Sequence, residues 1–276
     1  MVNSSFSLAL VAVGLTIVLI AGEFDLSICA VGSFVGMVGT GIMTHDSQPF
    51  YVGILAGLGI AAAIGLVIGI SVTKLRVASL IATLAASSIV VGRTFWYGGG
   101  IAVYNDIPTS FTRMGANAIW QFQGVVVVVG VGSALAWLLL EKTDFGRRVY
   151  AVGSSPLAAR MSGVNNDRVK IEAFVLCSVL AGATGLLIAA STNSAAPTAA
   201  DGLLLPAFTA AFLGAVVFRE SEFNIAGTLV AVLLLTTIDN GLAQSGAAIW
   251  MSSVVKGILL VAAVALSGLG GRALGR

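Results

Sequence analysis

Nine apolar runs occupy most of this chain, at roughly 6–22, 26–43, 51–72, 78–97, 122–141, 171–191, 203–218, 225–244 and 250–268. Runs of this kind leave few folds open. A segment in hydrocarbon must satisfy its own backbone hydrogen bonds, and an α-helix does so within itself. Crossing a core of ~30 Å takes about 20 mainly apolar residues. The chain also lacks the charge to cover a water-soluble surface: 9% of its residues are charged, against about 25% in soluble domains. Mean hydropathy is +1.02. The expected fold is all-α: a polytopic transmembrane helical bundle of about nine spans, forming one domain over residues 1–276.

The breaks between runs differ in chemistry. Gly22-Glu23-Phe24-Asp25 is short and acidic, and Thr44 to Phe50 holds the only histidine, His45. Lys74 and Arg76 mark the third break, and Gly98-Gly99-Gly100 opens a polar loop reaching Gln123. The longest stretch that a membrane would reject runs from about 142 to 170 and carries Lys142, Arg147, Arg148, Arg160, Arg168 and Lys170. Basic residues are retained on the cytoplasmic side. With this loop inside and the spans alternating, Lys74, Arg76, Arg219, Arg272 and Arg276 also fall inside, eleven of the fourteen basic residues in all. Arg93, Arg113 and Lys256 are the exceptions. Nine spans with an inner C-terminus put the N-terminus outside, which makes ten spans the expectation if one precedes residue 1.

The two cysteines, Cys29 and Cys177, lie inside apolar runs and suggest no disulfide framework. Glycine pairs at four-residue spacing, Gly32/Gly36, Gly53/Gly57 and Gly65/Gly69, permit close helix crossing within a compact bundle. No basic stretch precedes the first run, so it does not read as a removable signal peptide.

The 142–170 loop is longer than a connector needs, and part of it reads as a helix. A serine cap before Pro156 starts it. Leu157, Ala158, Ala159, Met161 and Ser162 supply about two turns, and Gly163 stops it. Flanked by arginines, this segment reads as a docking surface for a cytoplasmic partner.

Phe145-Gly146-Arg147-Arg148-Val149-Tyr150-Ala151-Val152-Gly153, followed by Ala158-Ala159-Arg160-Met161-Ser162-Gly163-Val164, resembles the coupling loop of ribose-type ABC importer permeases. Similar pieces follow in order along nearly the whole chain: Gly14 to Ser27, Ser79 to Leu84, Pro206 to Ala215, Gly227-Thr228-Leu229 and Asn240-Gly241-Leu242. The resemblance implies a permease subunit with no catalytic site and no cofactor. Its implied partners are two cytoplasmic ATPase subunits, a second permease copy (identical or not), a periplasmic or extracellular solute-binding protein delivering a small sugar, and inner-membrane lipid. It implies that Pro156, Leu157, Ala158, Ala159, Arg160, Met161 and Gly163 seat in the ATPase. Three features depart from the family pattern. Pro156 stands where relatives often carry an acid. Val216 to Asn224 lacks the usual further glycines. The family usually has a span and a basic tail ahead of Gly14, which are expected to lie before residue 1.

Four residues are candidates for the solute pathway. Asp25 either caps the helix that follows or marks a break beside the pathway. Asp239 and Asn240 lie deep in an apolar run with Gln244 a turn further on. They read as pathway groups or as interhelical glue, with Lys256 a possible ion-pair partner of Asp239. The amides of Asn240 and Gln244 suit a polyol better than a carboxylate does. Phe95, Trp96, Tyr97, Tyr104, Trp120 and Phe122 resemble an interfacial belt framing loop 98–121, which on this topology faces the binding protein.

Several classes are excluded. There is no GxxxxGK[ST] phosphate loop and no HExxH, and a single histidine cannot supply a hydrolytic triad. The few basic residues are accounted for by topology, so nucleic-acid binding has no support. Two alternatives stay open. One is an ion- or proton-coupled carrier using Asp25 and Asp239. The other is a branched-chain amino-acid-type ABC permease.

Overall fold

The computed structural model describes residues 2–46, 48–104, 106–116, 118–119, 122–218 and 222–273. Arg219, Trp120 and Arg276 lie outside them, as do the side chains of Phe122 and Arg272. Each apolar run forms a helix. In chain order these are α1 (Val2–Ile20), α2 (Ile28–Thr44), α3 (Phe50–Thr73), α4 (Ser79–Gly98), then a short α5 (Thr109–Ala116), α6 (Gly124–Lys142), α7 (Asp144–Ser154), α8 (Pro156–Met161), α9 (Asn166–Thr192), α10 (Leu204–Phe218), α11 (Ile225–Gln244) and α12 (Ile249–Ala273). A single 3₁₀ turn, Asp201–Leu203, leads into α10. Extended pairing among the described residues is confined to Ala118–Ile119 against Phe122–Gln123 and a bridge between Val103 and Ala195.

Among the described residues five helices, α3, α4, α6, α9 and α11, are long and apolar enough to cross a membrane, and Phe6–Ile20, Ile28–Thr44, Asp201–Val216 and Trp250–Leu266 are further apolar helical stretches. The all-helical membrane bundle therefore holds, with five of the nine expected spans meeting that length and composition among the described residues. The breaks nevertheless alternate between two ends. At one end Lys170 pairs with Glu23, Lys74 with Asp167 at 2.7 Å, and the Tyr150 hydroxyl donates to the Phe223 carbonyl at 3.3 Å. These contacts gather breaks one, three and seven around loop 142–170. At the other end the Val103–Ala195 bridge joins the 98–121 and 193–202 loops.

The core sits around α9, which packs against α1, α2 and α3 and buries Phe174, Cys177, Ala181 and Gly185. The glycine pairs mark the crossings. A Cβ on Gly36 would stand 2.8 Å from the Gly185 carbonyl oxygen, and one on Gly65 would stand 2.7 Å from that of Phe174. Gly53 approaches the Gly39 carbonyl just as closely. Without side chains between them the backbones meet directly, gaining dispersion contacts where no hydrophobic drive separates protein from lipid. Gly214 and Gly227 form the same kind of seam between α10 and α11. There the Asn224 side chain caps α11 by accepting from Gly227 N at 2.7 Å. The Thr16 and Thr228 hydroxyls, 2.8 Å apart, join α1 to α11. Large apolar side chains that face outward, among them Leu55, Ile81, Leu135, Leu233 and Val261, form the surface offered to hydrocarbon.

Candidate functional site

Loop 142–170 is two helices and a turn. The apolar positions Phe145, Val149 and Val152 recur at helical spacing, and they place one face of α7 against α1 and α6, where Val149 and Val152 are buried beside Val13, Ile17 and Leu140. This first helix goes beyond the sequence reading, which put helix only after Ser154. The apolar stripe was its signal, diluted by Gly146, Arg147 and Arg148. The loop's last residues also differ from expectation. Arg168 and Lys170 already belong to α9, which starts at Asn166 and is capped by Asn165, whose Oδ1 accepts from Arg168 N at 3.1 Å.

The second helix forms where its signals lie. Ser155 is the N-cap, its hydroxyl accepting from Ala158 N at 3.4 Å, with Pro156 at the first helical position. At the other end Gly163 takes φ +84°. Gly163 N donates to the Arg160 carbonyl and Val164 N to that of Ala159, both at 3.0 Å, the paired bonds of a Schellman stop. Ala159 turns inward and is buried. Leu157 and Met161, four residues apart and so on one face, are 72% and 84% exposed. Arg147, Arg148 and Arg160 of the same loop are also exposed. The sequence-predicted group from Pro156 to Gly163 is thus one structural unit, presenting two large apolar side chains to solvent.

That unit is fastened to the bundle. Gly153 packs so closely on α1 that a Cβ would overlap the Ile20 carbonyl oxygen, and Gly146 meets the Leu140 carbonyl in the same way. Asn166 Nδ2 donates to the Pro156 carbonyl at 2.7 Å, tying the start of α8 to the start of α9. The Glu23–Lys170 pair is only 13% and 21% exposed, so it is screened less than a surface pair.

The four pathway candidates are not brought together. Asp25 lies at the loop end, fully buried between α1 and α2. Its Oδ1 accepts from Ser27 N at 2.8 Å and from Ser27 Oγ at 2.6 Å, and its Oδ2 accepts from Cys177 Sγ at 3.5 Å. Burial pushes this carboxyl above its ordinary range, against the hydrogen bonds from Ser27 that pull it down. The N-cap of α2 is Ser27, so Asp25 supports the helix start from two residues earlier. Asp239 faces α12, where Lys256 Nζ pairs with it at 2.7 Å and Ser252 Oγ donates at 2.5 Å. Asn240, the next residue, lines an open pocket of 690 Å³ between α1, α6 and α11, together with Ser133, Trp137 and Thr236. Gln244 is exposed near the end of α11.

Known proteins resemble this chain over nearly its full length. The sequence family described as branched-chain amino acid transport system / permease component matches residues 1–264. Ribose import permease protein RbsC of Escherichia coli (strain K12) is 34% identical over 259 residues, covering 93% of this chain and 80% of that protein. Its namesake from Bacillus subtilis (strain 168) is 33% identical over 266 residues, with the same coverage of 93% and 80%. L-arabinose transport system permease protein AraH of Escherichia coli (strain K12) is 32% identical over 261 residues, covering 92% of this chain and 77% of that protein. No solved structure matches.

Proposed function

This chain belongs to the branched-chain amino acid transport system / permease component family, and on that premise we propose that it is the membrane-spanning permease subunit of an ATP-binding-cassette importer for a small sugar. The observation that carries this reading is the near-full-length likeness to permeases named for ribose and for L-arabinose. Those names favour a sugar over the amino acid of the family's title. They also favour an ATP-driven importer over an ion-coupled carrier. The protein resides in the inner membrane and passes through it several times. A separate cytoplasmic subunit hydrolyses ATP, and a solute-binding protein delivers the sugar.

In this reading α8 seats in the ATPase. Leu157 and Met161 enter an apolar groove, and each contributes about 1.5–3 kcal/mol when fully buried. The exposed arginines around them meet acidic groups at the rim, steering association more than adding affinity. Closure of the ATPases on ATP displaces α8. The contact of Gly153 with Ile20 passes that displacement to α1, and the Glu23–Lys170 pair passes it to α9. A second permease copy completes the pathway, and the two copies alternate their opening. Asn240 and Gln244 offer amides to sugar hydroxyls without a charge that would trap them. Asp239, already paired with Lys256, serves to hold α11 against α12.

Uptake of labelled ribose and L-arabinose tests this function in cells that lack their own pentose importers and express the permease with its ATPase and binding protein. ATP-dependent uptake of at least one sugar, with none of a branched-chain amino acid, is the expected result. Uptake that survives ATP depletion, or that follows the amino acid, contradicts it.

A further inference from the structure

Arg93 is a cation that topology does not explain. It sits on α4, five residues before the helix ends at Gly98, about 7 Å below that end at 1.5 Å per residue. That end is the one remote from loop 142–170, because the other end of α4 is tied to the first break: Ser79 Oγ accepts from Phe24 N at 3.2 Å. No carboxylate pairs with Arg93 among the described residues. Its guanidinium lies 4.8 Å from the ring centre of Trp96, which is 73% exposed. An arginine and a tryptophan near one end of a membrane helix stand at headgroup depth.

Arg93 also lines one end of an apolar groove of 500 Å³ between α3 and α4, whose floor is Phe34 of α2 and whose walls include Ile64, Val67, Ile89 and Val90. Val67 and Ile89 are exposed at its mouth, so the groove opens toward hydrocarbon. From Ala86 to Arg93 the α4 wall spans about 10 Å along the bilayer normal.

We propose that this groove is a phospholipid site: an acyl chain lies between α3 and α4, and the headgroup phosphate of an anionic lipid of the phosphatidylglycerol type pairs with Arg93. Charge complementarity selects the occupant. The walls offer nothing polar below Arg93, which fits an alkyl chain, and the unpaired guanidinium is suited to a planar, two-point contact with phosphate. Trp96 brackets the headgroup from the aqueous side. A net negative lipid is favoured over a zwitterionic one because no carboxylate forms an ion pair with the arginine among the described residues.

Native mass spectrometry of the detergent-extracted permease, titrated with phosphatidylglycerol and with phosphatidylcholine of the same chains, tests the site. The intact protein should hold phosphatidylglycerol in preference to phosphatidylcholine. Arg93→Gln should weaken phosphatidylglycerol binding about fivefold, the value of one basic side chain at an anionic membrane surface. Arg93→Lys should retain most of it. Ile64→Trp, which fills the groove, should lower binding of both lipids, with a melting curve showing that the variant is folded. Equal binding of the two lipids, or undiminished phosphatidylglycerol binding by Arg93→Gln, overturns the proposal. So does ready disulfide formation between two copies carrying Ile89→Cys, which would put the second permease in the groove. A raised KM for sugar uptake in Arg93→Gln with lipid binding intact would assign the arginine to the solute path instead.

Discussion

Gly153 of α7 and Ile20 of α1 touch through their backbones, with no room for a methyl group between them. A segment fixed in this way cannot move without α1. Gly153→Ala forces a Cβ against a carbonyl oxygen, so the loop must lift from the helix. The expected cost is about 1–3 kcal/mol, read as a lower melting temperature in detergent. Uptake should fall further than expression does, because the link between loop and core is damaged.

Asp25 has a stability signature in its pH dependence. Its folded-state carboxyl titrates above the ordinary value of 3.8 because burial disfavours the ionised form. The neutral carboxyl therefore contributes stability that is fully present below the ordinary value and is lost as pH rises through the folded-state value. Asn at this position still accepts from Ser27 N and never ionises. Asp25→Asn should melt higher than the parent at about pH 8, with the gap closing as pH falls toward the ordinary carboxylate value. Melting curves across that range check it, and a variant that is less stable at the alkaline end contradicts it.

The pair of Asp239 with Lys256 should behave as a structural tie. Asp239→Ala leaves an ammonium group unpaired between two helices and should cost about 1–2 kcal/mol. Removing both charges, with Asp239→Leu and Lys256→Met, should recover part of that loss. Asp239→Asn should retain ATP-dependent uptake. Abolished uptake in this variant, in a protein that still melts normally, would make the carboxylate a coupling group.

How much of this was legible in the sequence follows from which residues act locally. All nine apolar runs became helices, because long apolar stretches carry their own backbone bonding. The α8 unit was readable since Ser155, Pro156 and Gly163 act within a few residues of one another. The tie between Asp239 and Lys256 was readable because two opposite charges in adjacent apolar runs leave few other partners. α7 was not, as Gly146 and Gly153 lower its helix propensity and disguise the Phe145–Val149–Val152 stripe. Gly146 is required by the tight corner with Leu140 of α6, and Gly153 by its contact with Ile20, far away in sequence. The pathway candidates share polarity in sequence but face different neighbours: Asp25 turns toward Cys177, Asp239 toward α12 and Asn240 toward α6. Facing of that kind is decided by helix rotation in the assembled bundle.

The docking role of α8 is the central claim. Leu157 and Met161 are exposed and belong to neither core cluster, so replacing both with Asp should leave the melting temperature unchanged. Each truncated anchor of an interface typically costs more than about 1 kcal/mol, and burying two carboxylates in an apolar groove costs more. The direct measurement is co-purification of the cytoplasmic ATPase with the detergent-solubilised permease, comparing Leu157→Asp/Met161→Asp with the parent. Loss of the ATPase from a normally folded permease, together with loss of ATP-dependent uptake, is the predicted result. An ATPase that stays bound at parental stoichiometry would contradict the account.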